Sequence, residues 1–72
     1  MRIKIKDLEL ALEHIRLNSI SESVEVEYSV DNIGLLFEFT DKNKNISKVK
    51  MFDANVSATP EVMSTKKLYR ED

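Results

Sequence analysis

Between Lys6 and Asn18 the apolar residues Leu8, Ala11, Leu12 and Ile15 recur at the spacing that lines one face of an α-helix. Glu9, Glu13, His14 and Arg16 fall largely on the other faces, so the pattern predicts an amphipathic helix over about residues 7–18. Asp7 suits the N-cap, Glu9 suits the positive end of the helix dipole, and Asn18-Ser19 makes a stop. Ile3 and Ile5, ahead of the helix, read either as a short strand or as residues that dock on the core.

After the polar break at 19–23 the period changes to two. Val24, Val26, Tyr28 and Val30 alternate with Glu25, Glu27 and Ser29, which predicts a half-buried strand over 24–30. Asp31-Asn32, two residues that tolerate left-handed backbone, then lead into Ile33, Leu35, Phe37 and Phe39, the alternate members of a second strand over 33–40. A two-residue turn would set Val30 opposite Ile33, Tyr28 opposite Leu35, Val26 opposite Phe37 and Val24 opposite Phe39, with all of them on one face. The polar loop 41–45 leads to a third strand over 46–52 that would pair Phe37 with Val49 and Leu35 with Met51. On the opposite face this register sets Glu38 against both Lys48 and Glu25, and Leu36 against Lys50.

The reading is therefore a single α+β domain over 1–72: one N-terminal amphipathic helix packed on a three-stranded antiparallel meander, in the order αβββ. Its expected core is Leu8, Leu12, Ile15, Val24, Val26, Tyr28, Leu35, Phe37, Phe39, Val49 and Met51. The tail, 53–72, divides the signals. Thr59-Pro60-Glu61 resembles a helix start, whereas Val62, Met63, Leu68 and Tyr69 make a poor helical stripe and Ser64-Thr65 would sit equally well in an extended segment, so the tail reads as extended or as a short helix.

Composition narrows the function classes. With 72 residues, one core is all the chain can hold, and a core of this size is marginal enough for self-association to be an expectation. There is no cysteine, so neither disulfides nor thiolate metal sites arise, and the single histidine cannot build a zinc site alone. Met1-Arg2-Ile3-Lys4-Ile5-Lys6 lacks the apolar run of a signal peptide, and no stretch approaches a membrane span. A cytoplasmic location without membrane contact is the expectation. The net charge of −2, with mixed signs along the chain, provides no global attraction to nucleic acid.

Each string with chemical potential has a plainer reading. Asp41-Lys42-Asn43-Lys44-Asn45 begins like a calcium loop, but Ile46 stands where that loop needs glycine and Phe52 where it needs a closing glutamate, so it reads as a solvated hairpin loop. His14 is the natural acid–base residue, yet no nucleophile motif accompanies it, and it reads as an exposed helix-surface side chain. Glu25, Glu27 and Glu38 share a face with Lys48 and Lys50, as in a solvated charge ladder. Phe37 and Phe39 alternate like bases' stacking platforms, but they share the face with the core valines. No catalytic residue, metal ligand or cofactor site is assigned, and the chain reads as non-enzymatic.

The least expected feature is the outer sheet face, where Leu36, Ile46 and Phe52 accompany Lys48 and Lys50; together with Met63, Leu68 and Tyr69 of the tail they form the candidate interaction surface. A protein partner, or a second copy, is the expected occupant, by that face, by the third strand if it is an edge, or by the tail. The alternative is a nucleic-acid accessory role through Lys42, Lys44, Lys48 and Lys50 of the second hairpin with Lys66, Lys67 and Arg70 of the tail.

The segment Asp7-Leu8-Glu9-Leu10-Ala11-Leu12-Glu13-His14-Ile15, followed by the hairpins and Thr59-Pro60-Glu61, resembles the small accessory proteins of large tailed bacteriophages of the T4-like kind. The likeness lies in length, composition and layout, and assigns no residue roles. It implies a protein made in the cytoplasm of an infected bacterium that acts by binding, as a modulator of a host enzyme, an accessory to phage DNA metabolism or an antagonist of a defence system.

Overall fold

The computed structural model describes the backbone of residues 1–67 and the side chains of residues 1–63. Helix α1 spans Ile5–Asn18, and strands β1 (Glu25–Tyr28), β2 (Gly34–Thr40), β3 (Asn45–Phe52) and β4 (Glu61–Lys67) follow it. They form one antiparallel sheet in the order β1-β2-β3-β4. The fold is α+β, with one strand more than the pattern predicted.

The helix begins at Ile5, two residues early. Lys4 occupies the N-cap with extended backbone and no side-chain cap, while Asp7 is buried in the first turn, in line with Ala11 and Ile15. Tertiary contacts account for this start: Ile3 packs against the core, and the Ala54 N–H donates to the Arg2 carbonyl at 2.7 Å, fixing the chain just before the helix. At the other end the helix is tied to the β2–β3 hairpin. The Lys42 N–H donates to the Asn18 carbonyl and the Ile20 N–H to the Thr40 carbonyl, and Asn18 Nδ2 donates to the His14 carbonyl at 2.7 Å.

The register of the first three strands is the one that alternation requires. Val26 pairs with Phe37, Tyr28 with Leu35, Phe37 with Val49, Leu35 with Met51, Glu38 with Lys48 and Leu36 with Lys50. The first turn is longer than the expected two residues, because Ser29 closes the ladder: its N–H still donates to the Gly34 carbonyl, but its own carbonyl accepts from the Asn32 N–H instead of the Gly34 N–H. Its buried hydroxyl accepts the Gly34 N–H at 3.0 Å and donates to Asp31 at 2.6 Å, so Val30 turns out to solvent at 98% exposure and does not join the core. Asn32 supplies the left-handed residue, with φ 61°. Gly34 serves a different need: a Cβ there would lie 2.0 Å from the Met51 carbonyl oxygen, so only glycine lets β2 approach β3 at this point.

The core consists of Ala11, Ile15, Phe37, Phe39, Val49 and Met51, with Ile3, Leu8, Val24 and Leu35 packed around it. Three residues expected inside are not: Leu12 is on the exposed flank of the helix, and Val26 and Tyr28 are 55% and 67% exposed. Within the tail, Glu61–Lys67 takes the extended form. β4 pairs with β3 through Val49↔Val62 and Lys50↔Glu61, with a bulge between Ile46 and Lys48, so the third strand is interior and closed to strand addition. The free N–H and C=O groups on the far side of β3 outweigh the helix-start signature at Thr59-Pro60-Glu61, since pairing them satisfies a whole row of backbone groups.

Candidate interaction surface

The structure gathers the outer-face residues as the register requires. Cross-strand rows run Leu36, Lys50, Glu61; Glu38, Lys48, Met63; and Thr40, Ile46, Lys66. Leu36 and Ile46 are half-buried and Met63 is exposed. Leu68 and Tyr69 lie outside the described residues.

Phe52 departs from expectation. It belongs to the outer face but is only 7% exposed, with the Lys50 ammonium 5.1 Å from its ring centroid. The same ammonium donates to Asp31 Oδ2 at 2.6 Å, so Lys50 bridges the β1–β2 turn and the end of β3. Asp31 also accepts from the Ser29 hydroxyl and the Ile33 N–H. Lys50 first, then Ser29 and Ile33, hold its pKa down at about 2, below the ordinary 3.8. Phe52 and Lys50 thus serve the fold, and a substitution at Phe52 reports on stability before it reports on binding. Lys48 makes a looser pair with Glu38 at 3.7 Å, of the kind that contributes little when exposed.

The remaining candidates take structural roles. Asp41 Oδ1 accepts the N–H groups of Asn43 and Asn45, closing the β2–β3 turn with its own carboxylate. His14 is half-buried, not exposed, with its ring edge-on to Phe39 at 6.3 Å between centroids and its Nδ1 3.5 Å from Asn18 Nδ2. It borders a cleft of 170 Å³ between Leu10 and Ala11 of α1 and Val49 and Val62 of the sheet, well below the ~300–1,000 Å³ of ordinary small-molecule sites. Among the described residues no three His, Asp or Glu side chains are grouped to hold a metal ion, and no helix is long and apolar enough to cross a membrane.

What sequence reasoning missed is the flank of the sheet at β1. One helix covers the middle strands and leaves the apolar row of the edge strand, Val26 and Tyr28, open. Along the edge of β1, Glu25, Val26, Glu27 and Glu38 border an open hollow of 380 Å³. The signal available in the sequence was charge. Between Leu17 and Asp41 stand Glu22, Glu25, Glu27, Asp31, Glu38 and Asp41, without a single Lys or Arg. Comparison with protein-family models, curated proteins and solved structures returned no match.

Proposed function

We propose that this protein is a non-enzymatic binding protein that acts by stoichiometric contact with another protein. In the setting that the phage likeness implies, that partner is a host enzyme, a component of phage DNA metabolism or a protein of a defence system. The observation that carries the reading is the incomplete cover of the sheet: a single helix over four strands, with Val26, Tyr28 and Val62 exposed among apolar side chains and Met63 exposed on the uncovered face. Val26 and Tyr28 stand side by side on one face of the edge strand β1, and adjacent apolar residues at an open sheet edge suit a surface that a partner completes. His14, the residue on which acid–base chemistry would depend, is engaged with Phe39 and Asn18 beside a cleft too small for most substrates.

The nucleic-acid reading has less support. Lys50 is committed to Asp31 and Phe52, and Lys48 faces Glu38, which leaves Lys42 and Lys44 as the free cations of the hairpin among the described side chains. The test is capture by the tagged protein from its native cells, in nuclease-treated extract, by wild type and by a Val26→Thr/Tyr28→Ser variant. A protein retained in stoichiometric amount by wild type and lost by the variant is the expected result. Retention that disappears with nuclease, or nothing beyond the chain itself, would overturn the reading.

A further inference from the structure

The backbone of β1 offers more than an apolar patch. The Ser29 N–H donates to the Gly34 carbonyl at 2.9 Å, and the same ladder continues through Glu27↔Leu36 and Glu25↔Glu38. In an antiparallel pair only alternate residues direct their N–H and C=O at the partner strand. Here those are Glu25 and Glu27, so Val26 and Tyr28 direct theirs away from β2, to the open edge of the sheet. The residues with free backbone groups are thus the same two whose side chains are 55% and 67% exposed on the helix side.

The two edges of the sheet are not equivalent. β4 carries a bulge, which interrupts the regular spacing an added strand needs, and Lys66 and Lys67 at its end are residues that discourage strand addition. β1 has no bulge. A second copy is a poor occupant of this edge. The two-fold antiparallel pairings of β1 with itself that keep the faces aligned and centre on Glu25, Val26 or Glu27 set a glutamate against a glutamate of the copy, and like charges directly opposite are destabilising; centring on Tyr28 avoids this only by reducing the overlap within β1 to a single residue. Among the described residues neither Glu25 nor Glu27 is in an ion pair, and the surrounding stretch, 17–41, holds no cation.

We infer that β1 is a strand-addition site for an extended segment of a partner protein in which Lys or Arg alternates with apolar residues. The inference rests on the protein-binding reading above and names the chemistry of the partner. The added strand takes the free N–H and C=O groups of Val26 and Tyr28. Its apolar side chains lie beside Val26 and Tyr28 and extend the open apolar row on the helix side of the sheet, and its basic side chains lie on the outer face opposite Glu25 and Glu27. Main-chain pairing provides affinity for any extended chain; the acidic row and the apolar row, one residue out of step, select the alternating one.

The probe is a capped peptide of alternating lysine and valine, compared with a glutamate–valine peptide and with a peptide of the same composition in which the lysines and valines form two blocks. Titration of ¹⁵N-labelled protein is expected to shift and protect the amides of Val26 and Tyr28 with the lysine–valine peptide only, more weakly as salt is raised. Glu25→Lys with Glu27→Lys, at exposed positions where the fold does not depend on charge, is expected to reduce that affinity at least about tenfold and to transfer binding to the glutamate–valine peptide. Val26→Pro, which removes an outward N–H and leaves the β1–β2 ladder its own bonds, is expected to abolish protection. Equal binding of the blocked peptide, indifference to the charge reversal, or perturbation confined to β4 would overturn the inference, as would a dimer in sedimentation that the reversal dissociates. A cellular partner retained equally by wild type and by the charge-reversed protein would also overturn it and leave the protein-binding reading standing; peptide binding as described with no cellular protein captured would sustain the edge preference and sink that reading.

Discussion

At the scale of single residues, Asp31 shows how a turn that looks like a simple two-residue link becomes a small hydrogen-bonded cluster. Its carboxylate accepts from Lys50, from the Ser29 hydroxyl and from the Ile33 N–H, all of which favour the ionised form and hold its pKa at about 2. Because the folded value lies below the unfolded one, the stabilisation is fully present above the ordinary carboxylate range and is lost as pH falls from about 4 towards 2. Thermal melts of wild type and Asp31→Asn should therefore differ at neutral pH and converge near pH 2; parallel pH profiles would mean that the cluster does not bear on folding. The turn residues themselves were visible in the sequence, since Asn32 was expected to tolerate the left-handed backbone it adopts. The closing of the ladder at Ser29 and the outward turn of Val30 were not visible, because Lys50, nineteen residues further on, is what completes the cluster around Asp31.

At the scale of elements, the β2–β3 hairpin owes its closure to Asp41, whose side chain accepts two backbone N–H groups, and to Lys44, which adopts φ 65°. A left-handed conformation costs a residue with a Cβ about 1–2 kcal/mol, and glycine avoids it at some entropic cost in the unfolded chain. Lys44→Gly is expected to raise stability by up to about 1 kcal/mol, read as a gain of several degrees in Tm for a domain of this size. A lowered Tm would show that the turn relies on the lysine side chain. The fourth strand is the element that sequence reasoning left undecided. Thr59-Pro60-Glu61 carries local helix signals, and Val62 and Met63 carry only weak strand ones. The local preference yields because the open side of β3 presents a row of unpaired backbone groups, and satisfying them outweighs the fractions of a kcal/mol per residue by which propensities differ.

At the scale of the whole molecule, the core residues and the exposed edge make opposite demands on the same stability. Phe39 is buried and touches the helix through His14, and its truncation to alanine should cost about 3–5 kcal/mol, a large part of the ~5–15 kcal/mol typical of a domain. Tyr28→Ser, on the same face but at the uncovered edge, should cost well under about 1 kcal/mol, within the range of ordinary surface changes. Chemical denaturation of the two variants checks this; equal losses would mean that the edge is covered in solution, by a second copy or by the chain itself. The alternation of apolar and polar residues and the 3.6-residue spacing before them were sufficient to set the helix, three strands and their register. Side chains on a pleated strand have a period of two, and a slip by one residue would turn every valine and phenylalanine to water. Periodicity assigns faces, however, and not cover. A helix is about 10–12 Å across and neighbouring strands lie about 4.8 Å apart, so one helix shields the middle of a four-stranded sheet and leaves its flank open. The exposure of Val26 and Tyr28, the burial of Phe52 beneath Lys50 and the recruitment of 61–67 as a strand were therefore settled only by how the elements pack in three dimensions.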